Sequence, residues 1–151
     1  MMRSELEGTD WTLPKSRNKV KIDFVRPLPP AAQDVLKELP RIGKPGYVFT
    51  TNGRSGLGGF SKFKRKLDEA SGVTGWTLHD LRRTARSLMS RAGISSDHAE
   101  RCLGHVIGGV RGVYDRHEFH AEKKHAFEGL ASQIDHILNP QENVVTLRAT
   151  K

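Results

Sequence analysis

Apolar residues recur along this chain with a period that switches between strand-like and helix-like, and each switch marks an element. Asp10 to Leu13 and Val20 to Val25 are short runs rich in β-branched and aromatic residues, which predicts two strands. Between them Pro14-Lys-Ser-Arg-Asn-Lys19 supplies turn formers and charge, so the segment reads as strand, hairpin tip and strand. Pro29 and Pro30 then open a helix over about residues 31 to 39, where Val35, Leu36 and Leu39 are spaced for one buried stripe. Pro40 to Gly46 breaks that pattern, residues 47 to 49 are a brief extended piece, and TNGRSGLGG at 51 to 59 reads as a mobile loop with Arg54 as its charge. Its glycines do not have the GxGxxG spacing of a dinucleotide site.

From Phe60 onward the period is helical. Phe60, Phe63 and Leu67 share one side of a helix over residues 60 to 70, with Lys62, Arg65 and Lys66 elsewhere around it. Thr77 and Asp80 have the spacing of a capping box, and Leu78, Leu81, Ala85, Leu88, Met89 and Ala92 give the helix that follows an apolar side ending at Gly93. Ser95 or Ser96 caps a further helix running to Leu103 and stopped by Gly104. A short helical piece over residues 110 to 115 follows. Ala121 to Leu138 is then a long amphipathic helix with Ala126, Phe127, Leu130, Ile134, Ile137 and Leu138 as its stripe. The sum is an α+β chain, mainly α, with a small antiparallel sheet at one side. One domain is expected over residues 1 to 138, with a flexible tail over 139 to 151 in which residues 144 to 147 could add an edge strand.

Composition narrows what such a domain does. With 151 residues the chain can bury a real core, and 25 Lys and Arg against 17 Asp and Glu give a formal charge of +8. The isoelectric point near 9.9 favours a polyanionic partner. The lone cysteine, Cys102, excludes an internal disulfide and falls beside Leu103 in a predicted helix, where packing is its expected role. The first residues lack the apolar run of a signal peptide, and no segment approaches the roughly 20 apolar residues of a membrane span, so a soluble, cytoplasmic protein with no membrane partner is expected. His117, His120 and His125 lack Cys or carboxylate partners at structural-zinc spacing, so no metal site is expected. Trp11 and Trp76 stand apart from other aromatics in a chain that is only 7% aromatic, which suits core anchors better than base-stacking platforms.

The segment with the most chemistry is TLHDLRRTARSLMSRAGISSDHAERCLGHVIGGVRGVYDR, residues 77 to 116. His79 and Arg82 lie three apart on one helix face, His105 follows at a helix end in L-G-H, and Tyr114 comes nine residues later. Cleaving a phosphodiester needs an in-line nucleophile, charge stabilisation at the two non-bridging oxygens, and a proton for the departing 5′ oxygen. Tyr114 can be the nucleophile, storing the bond energy as a phosphotyrosine, and the planar fork of Arg82 suits the oxygens. Arg83, Arg86, Arg91 and Arg116 are candidates for DNA-backbone contacts that carry no sequence readout. Taken singly, His79 is a helix-start residue, Arg82 a solvated one and Tyr114 a packing one; the order and spacing of all three motifs carry the case.

That order closely resembles the catalytic core of the tyrosine recombinases, the phage-integrase family. The resemblance covers roughly Glu5 to Leu138 and is most specific from Thr77 to His117. It implies an integrase-catalytic-like fold and site-specific DNA recombination or integration through a 3′-phosphotyrosine, with no metal or organic cofactor. His79 would assist proton transfer at the Tyr114 hydroxyl, and His105 would hydrogen-bond the scissile phosphate. WTLPKSRNKVKIDFVRPL resembles the family's strand, hairpin and strand, placing Lys19 at the position of the general acid, with Lys15 and Lys21 as neighbours. The implied partners are double-stranded DNA and other recombinase protomers in a homo-oligomer on that DNA, with the long last helix as the segment exchanged between them. Type IB topoisomerases share the chemistry, but the hairpin and L-G-H resemble the integrases more.

The chain departs from the family near its start, where a T-G-x-R-like helix carrying an earlier phosphate-binding arginine has no counterpart. The resemblance implies a chain that begins after that helix and lacks the DNA-clamping domain. Loss of one such guanidinium costs on the order of 10² to 10³ in rate. Two readings follow: a recombinase catalytic half with reduced or conditional activity, or a catalytically defective DNA-binding or recombinase-partner remnant. Replacing Tyr114 by Phe separates them, because only the first predicts a covalent product lost with one hydroxyl.

Overall fold

The computed structural model describes residues 1–43, 46–105 and 117–140. Three short strands, β1 (Leu6–Glu7), β2 (Asp10–Leu13) and β3 (Phe24–Pro27), form an antiparallel sheet in that order. The helices are α1 (Pro30–Glu38), α2 (Phe60–Ser71), α3 (Leu78–Arg91), α4 (Ser96–Leu103) and α5 (His120–Leu138). The expected α+β, mainly α class is what these elements make. None of the described helices is long and apolar enough to cross a membrane.

Local sequence explains where the helices begin and stop. Thr77 and Asp80 close the expected capping box at α3, with the Thr77 backbone N–H and hydroxyl both donating to Asp80 Oδ2 at 2.8 Å. Those bonds, helped by Arg83, hold the Asp80 carboxyl down at about 2. Ser95 Oγ accepts from the His98 N–H to start α4, and Gly104 ends it with φ +73, a left-handed cap that favours glycine.

The core lies where α3, α4 and α5 meet. Met89, Ile94, Ala99, Cys102 and Ala126 are buried there, with Ala92, Phe127 and Leu130 packed against them. Burial pushes the Cys102 thiol up to about 11, so it stays protonated and acts as a small apolar group. Lys123 crosses from α5 to the sheet: its buried stem brings Nζ to Val25 O at 3.0 Å and over the Phe24 ring at 5.5 Å. Phe24 in turn lies against Gly104, where an added Cβ would come within 3.2 Å of the ring. Sheet, α4 end and α5 are thereby fixed together.

Three expectations need correction. The second strand begins at Phe24, not Val20, because the connection before it spends its polar groups locally. Asn18 Nδ2 donates to Ile22 O at 2.9 Å, the Lys15 N–H donates to Asp23 Oδ1 at 2.7 Å, and Lys21 takes the left-handed φ of 56° that no strand accommodates. The stripe expected on α1 is narrower than its spacing suggests: Leu36 and Leu39 are half-buried, but Val35, turned about 100° from Leu36, is exposed. On α3 burial is confined to the C-terminal half, around Met89, while Leu78 and Leu81 remain exposed. In the first half of the loop at 51 to 59, Asn52 Oδ1 accepts from the Arg54 and Ser55 N–H groups and Thr50 Oγ1 from that of Gly53.

Candidate functional site

Arg82 and His105 are 23 residues apart in sequence, and the packing of α3 on α4 brings them together. Arg82 Nη2 lies 2.6 Å from Leu103 O and 2.7 Å from His105 Nε2. A guanidinium only donates, so His105 Nε2 must accept and its proton sits on Nδ1. That proton has a receiver: Nδ1 contacts Glu100 Oε2, one turn back on α4. The other Glu100 oxygen accepts from Arg86 Nε at 2.8 Å, and Arg86 also donates to Ser90 Oγ at 2.6 Å and Ser96 Oγ at 2.8 Å. The result is a chain of oriented bonds, Arg82 to His105 to Glu100 and Arg86 to Glu100, spanning two helices.

The electrostatics follow from this order. Hydrogen bonds from Arg86 and then His105 hold the Glu100 carboxyl below its usual range against the opposing effect of burial. Arg86 is therefore neutralised within the fold. Arg82 is not: among the described residues its Nε and Nη1 make no hydrogen bond, and no carboxylate pairs with it. His105 is half-exposed at the end of α4, and Arg82 beside it is partly buried.

The remaining sequence candidates fall around this pair in different ways. His79 is exposed in the first turn of α3, one turn before Arg82, and lines a shallow groove of about 510 Å³ with Phe60, Lys64, Trp76 and Leu78. Arg83 is 74% exposed and pairs with Asp80 at 2.7 Å, while Arg91 is exposed in the last turn of α3. Lys19 is exposed in the turn joining β2 to β3. Tyr114 and Arg116 lie outside the described residues. Among those that are described, no group of three His, Cys, Asp or Glu could hold a metal ion; His120 instead pairs with Asp10 at 2.7 Å and His117 with Glu122 at 3.2 Å.

Two functional candidates were not legible as such. Glu100 reads as an ordinary helix-surface acid, and the one signal for it was its position five residues before His105 on a capped helix. Arg26 reads as the residue before a Pro-Leu pair, yet the structure places it on β3 over the rings of Trp11 and Phe24, at 5.1 and 4.6 Å. The alternation Phe24-x-Arg26 within a strand was its signal, since residues two apart share a sheet face.

No family model, no curated protein and no solved structure matches this chain. Its function is therefore argued from the site alone.

Proposed function

We propose that this chain binds duplex DNA with a phosphodiester at Arg82 and His105, and breaks and rejoins the strand by tyrosine-recombinase chemistry with Tyr114 as nucleophile. The observation that carries the reading is the 2.7 Å approach of the Arg82 guanidinium, without a carboxylate partner among the described residues, to an imidazole whose far nitrogen is held by Glu100. An arginine fork and a histidine on one open surface suit the two non-bridging oxygens of a phosphate. The Tyr114 hydroxyl attacks phosphorus in line, its proton leaving toward His79, and forms a 3′-phosphotyrosine. The bond from phosphorus to the 5′ oxygen breaks, and Lys19, on its exposed turn, protonates that oxygen. The reverse sequence with another 5′ hydroxyl rejoins the strand. Exchange between two duplexes requires several copies, so other protomers on the same DNA are the implied partners.

Phosphate entry asks one change of the site. A phosphate oxygen arriving between Arg82 and His105 displaces their mutual bond and meets Nε2 of a ring that Glu100 holds in place through Nδ1. Arg83 and Arg91 offer exposed backbone contacts, while Arg86 serves the fold through Glu100.

The test is a nicked suicide duplex drawn from a mixed-sequence pool and incubated with the protein, followed by denaturing electrophoresis. A denaturation-resistant adduct that disappears in Tyr114→Phe is the expected result. Salt-sensitive binding with no adduct across the pool overturns the catalytic part of the reading and leaves a DNA-binding protein.

A further inference from the structure

Arginines on the elements around the site divide into two groups by their partners. Arg83 has Asp80, Arg86 has Glu100 and Arg101 has Asp97, each within 3.1 Å. Arg82, Arg26 and the exposed Arg91 have no carboxylate among the described residues. Arg26 is the most exposed to this deficit because it is partly buried, and its Nε is shut off from solvent with no hydrogen-bond partner among the described residues. Its guanidinium is held by the faces of Trp11, opposite it in the sheet, and Phe24, two residues before it. Aromatic faces orient a guanidinium and attract its charge, but they accept no conventional hydrogen bond from all five of its N–H groups.

The same place gathers more positive charge. Phe24 lies against Gly104, between Leu103, whose carbonyl accepts from Arg82, and His105. Lys123 Nζ lies 5.5 Å from the Phe24 ring and donates to Val25 O at 3.0 Å. Burial and then the neighbouring Arg82 charge push the Arg26 guanidinium below its ordinary value, so the two cations feel each other. Leaving like charges together in a partly desolvated place is costly unless an anion joins them.

We propose that Arg26 is a second phosphate-binding guanidinium of the Arg82–His105 site, and that a DNA phosphodiester is the anion it shares with Arg82. The proposal rests on the reading of Arg82 and His105 as a phosphate site and adds to it a residue from the sheet. Trp11 and Phe24 form the slot that aims the fork, and Lys123 holds the strand carrying it against α5.

The experiment uses the full chain and a fluorescein-labelled mixed-sequence duplex, with affinity followed by anisotropy across a salt series. Arg26→Met keeps the volume between the rings and removes the charge. It is expected to reduce the slope of log affinity against log salt by about 0.9, one phosphate contact, with a roughly tenfold weaker complex at moderate salt. Arg26→Lys keeps the charge and is expected to retain the slope while losing several-fold in affinity, because an ammonium lacks the planar fork. Arg82→Met measured in parallel separates the two layers of argument. If its slope falls and that of Arg26→Met does not, the role of Arg26 is structural and this inference is overturned alone. If neither slope changes, the phosphate site itself is refuted, and the inference with it. Should Arg26→Met fail to fold, the Nε–H resonance of Arg26 in the unsubstituted protein decides: a shift on duplex addition supports the contact, and an unmoved signal beside a shifted Arg82 signal overturns it.

Discussion

Replacing Glu100 by Gln tests the orientation of the whole site with one atom. Glu100 now gives one oxygen to Arg86 and the other to the His105 ring. A Gln side chain has one oxygen, so it can satisfy Arg86 or His105 but must present an NH2 group to the other. If it keeps Arg86, its NH2 faces Nδ1, and the imidazole must move its proton to Nε2. That proton then points at the Arg82 guanidinium, which can only donate. Two donors facing each other break the contact, so a change on α4 reaches Arg82 on α3, which is left with its bond to Leu103 O. A hydrogen bond to a charged group is worth about 1.5–3 kcal/mol when well shielded. Glu100 retains 33% of its side-chain exposure, so water replaces part of the loss and about 1 kcal/mol of stability is the expected cost. Urea denaturation at pH 7 should show this as a lower midpoint with an unchanged slope. The pH dependence has a fixed sign. The folded carboxyl lies below the ordinary value of 4.5, so its contribution is complete above that pH and is lost as pH falls through the depressed folded value. The difference between the two proteins should fade in the same acid range. Nitrogen-15 spectra of the ring should show the Nδ1–H tautomer in the native protein and a shift toward Nε2–H in Glu100→Gln. A native Nε2–H tautomer, or a variant indistinguishable in both midpoint and spectrum, would refute the orientation derived from Arg82.

The other expectations concern the scaffold that carries the site. Asp80→Asn should lower the melting temperature at pH 7; because the Asp80 carboxyl falls from 3.8 to about 2 on folding, that difference should be largely kept down to pH 4, shrink as pH falls further and vanish only below about 2. Gly53→Ala should destabilise by about 2 kcal/mol or more in a chemical melt, since the position combines φ +68 with a Cβ that would lie 2.7 Å from Gly43 Cα. Gly59→Ala, with φ +70 and open space around it, should cost only about 1 kcal/mol, and equal costs would show that the close approach of Gly43 and Gly53 is not a constraint. Lys123→Ala should cost about 2 kcal/mol or more through lost packing beside Phe24, whereas Lys123→Met should fall within about 1 kcal/mol of the native protein, because removing a buried charge offsets the lost bond to Val25 O. A Met variant as damaged as the Ala variant would show that the ammonium, not the stem, does the holding.

How much was legible depends on whether the signal was local. α3 and α4 could be bounded almost to the residue, because Thr77, Asp80, Ser95 and Gly104 act through bonds and dihedrals within one turn of themselves. β1 was missed: two residues, Leu6 and Glu7, are too few to show alternation, and their partners Trp11 and Asp10 define them. β3 was misplaced because Val20, Ile22 and Phe24 alternate as a strand does, while the deciding facts were the side-chain bonds of Asn18 and Asp23. In the site, His79, Arg82 and His105 could be nominated from spacing, but spacing cannot show which arginines already have an acid. Arg83, Arg86 and Arg91 look alike in the sequence; packing gives Arg86 to Glu100 and leaves Arg91 on the surface.

The smallness of the core residues explains how Arg82 on α3 and His105 at the end of α4 are held to hydrogen-bond tolerance. Where α3, α4 and α5 meet, the most buried positions are Ala99, Cys102 and Ala126 beside the flexible Met89, so the helix backbones come close and Met89 fills what remains. Gly129 continues the pattern, since a Cβ there would meet Ile94 Cδ1 at 3.2 Å. Close backbones leave little freedom for α4 to slide, and its end carries Leu103 O, Gly104 and His105 as a unit. Phe24 presses on the same Gly104, so the sheet reads the position of α4 directly, and Arg26 travels with Phe24. A disturbance anywhere in this small-residue contact is therefore expected to reach the guanidinium and imidazole together, which is the rigidity that the proposed grip on one phosphate from two sides would require.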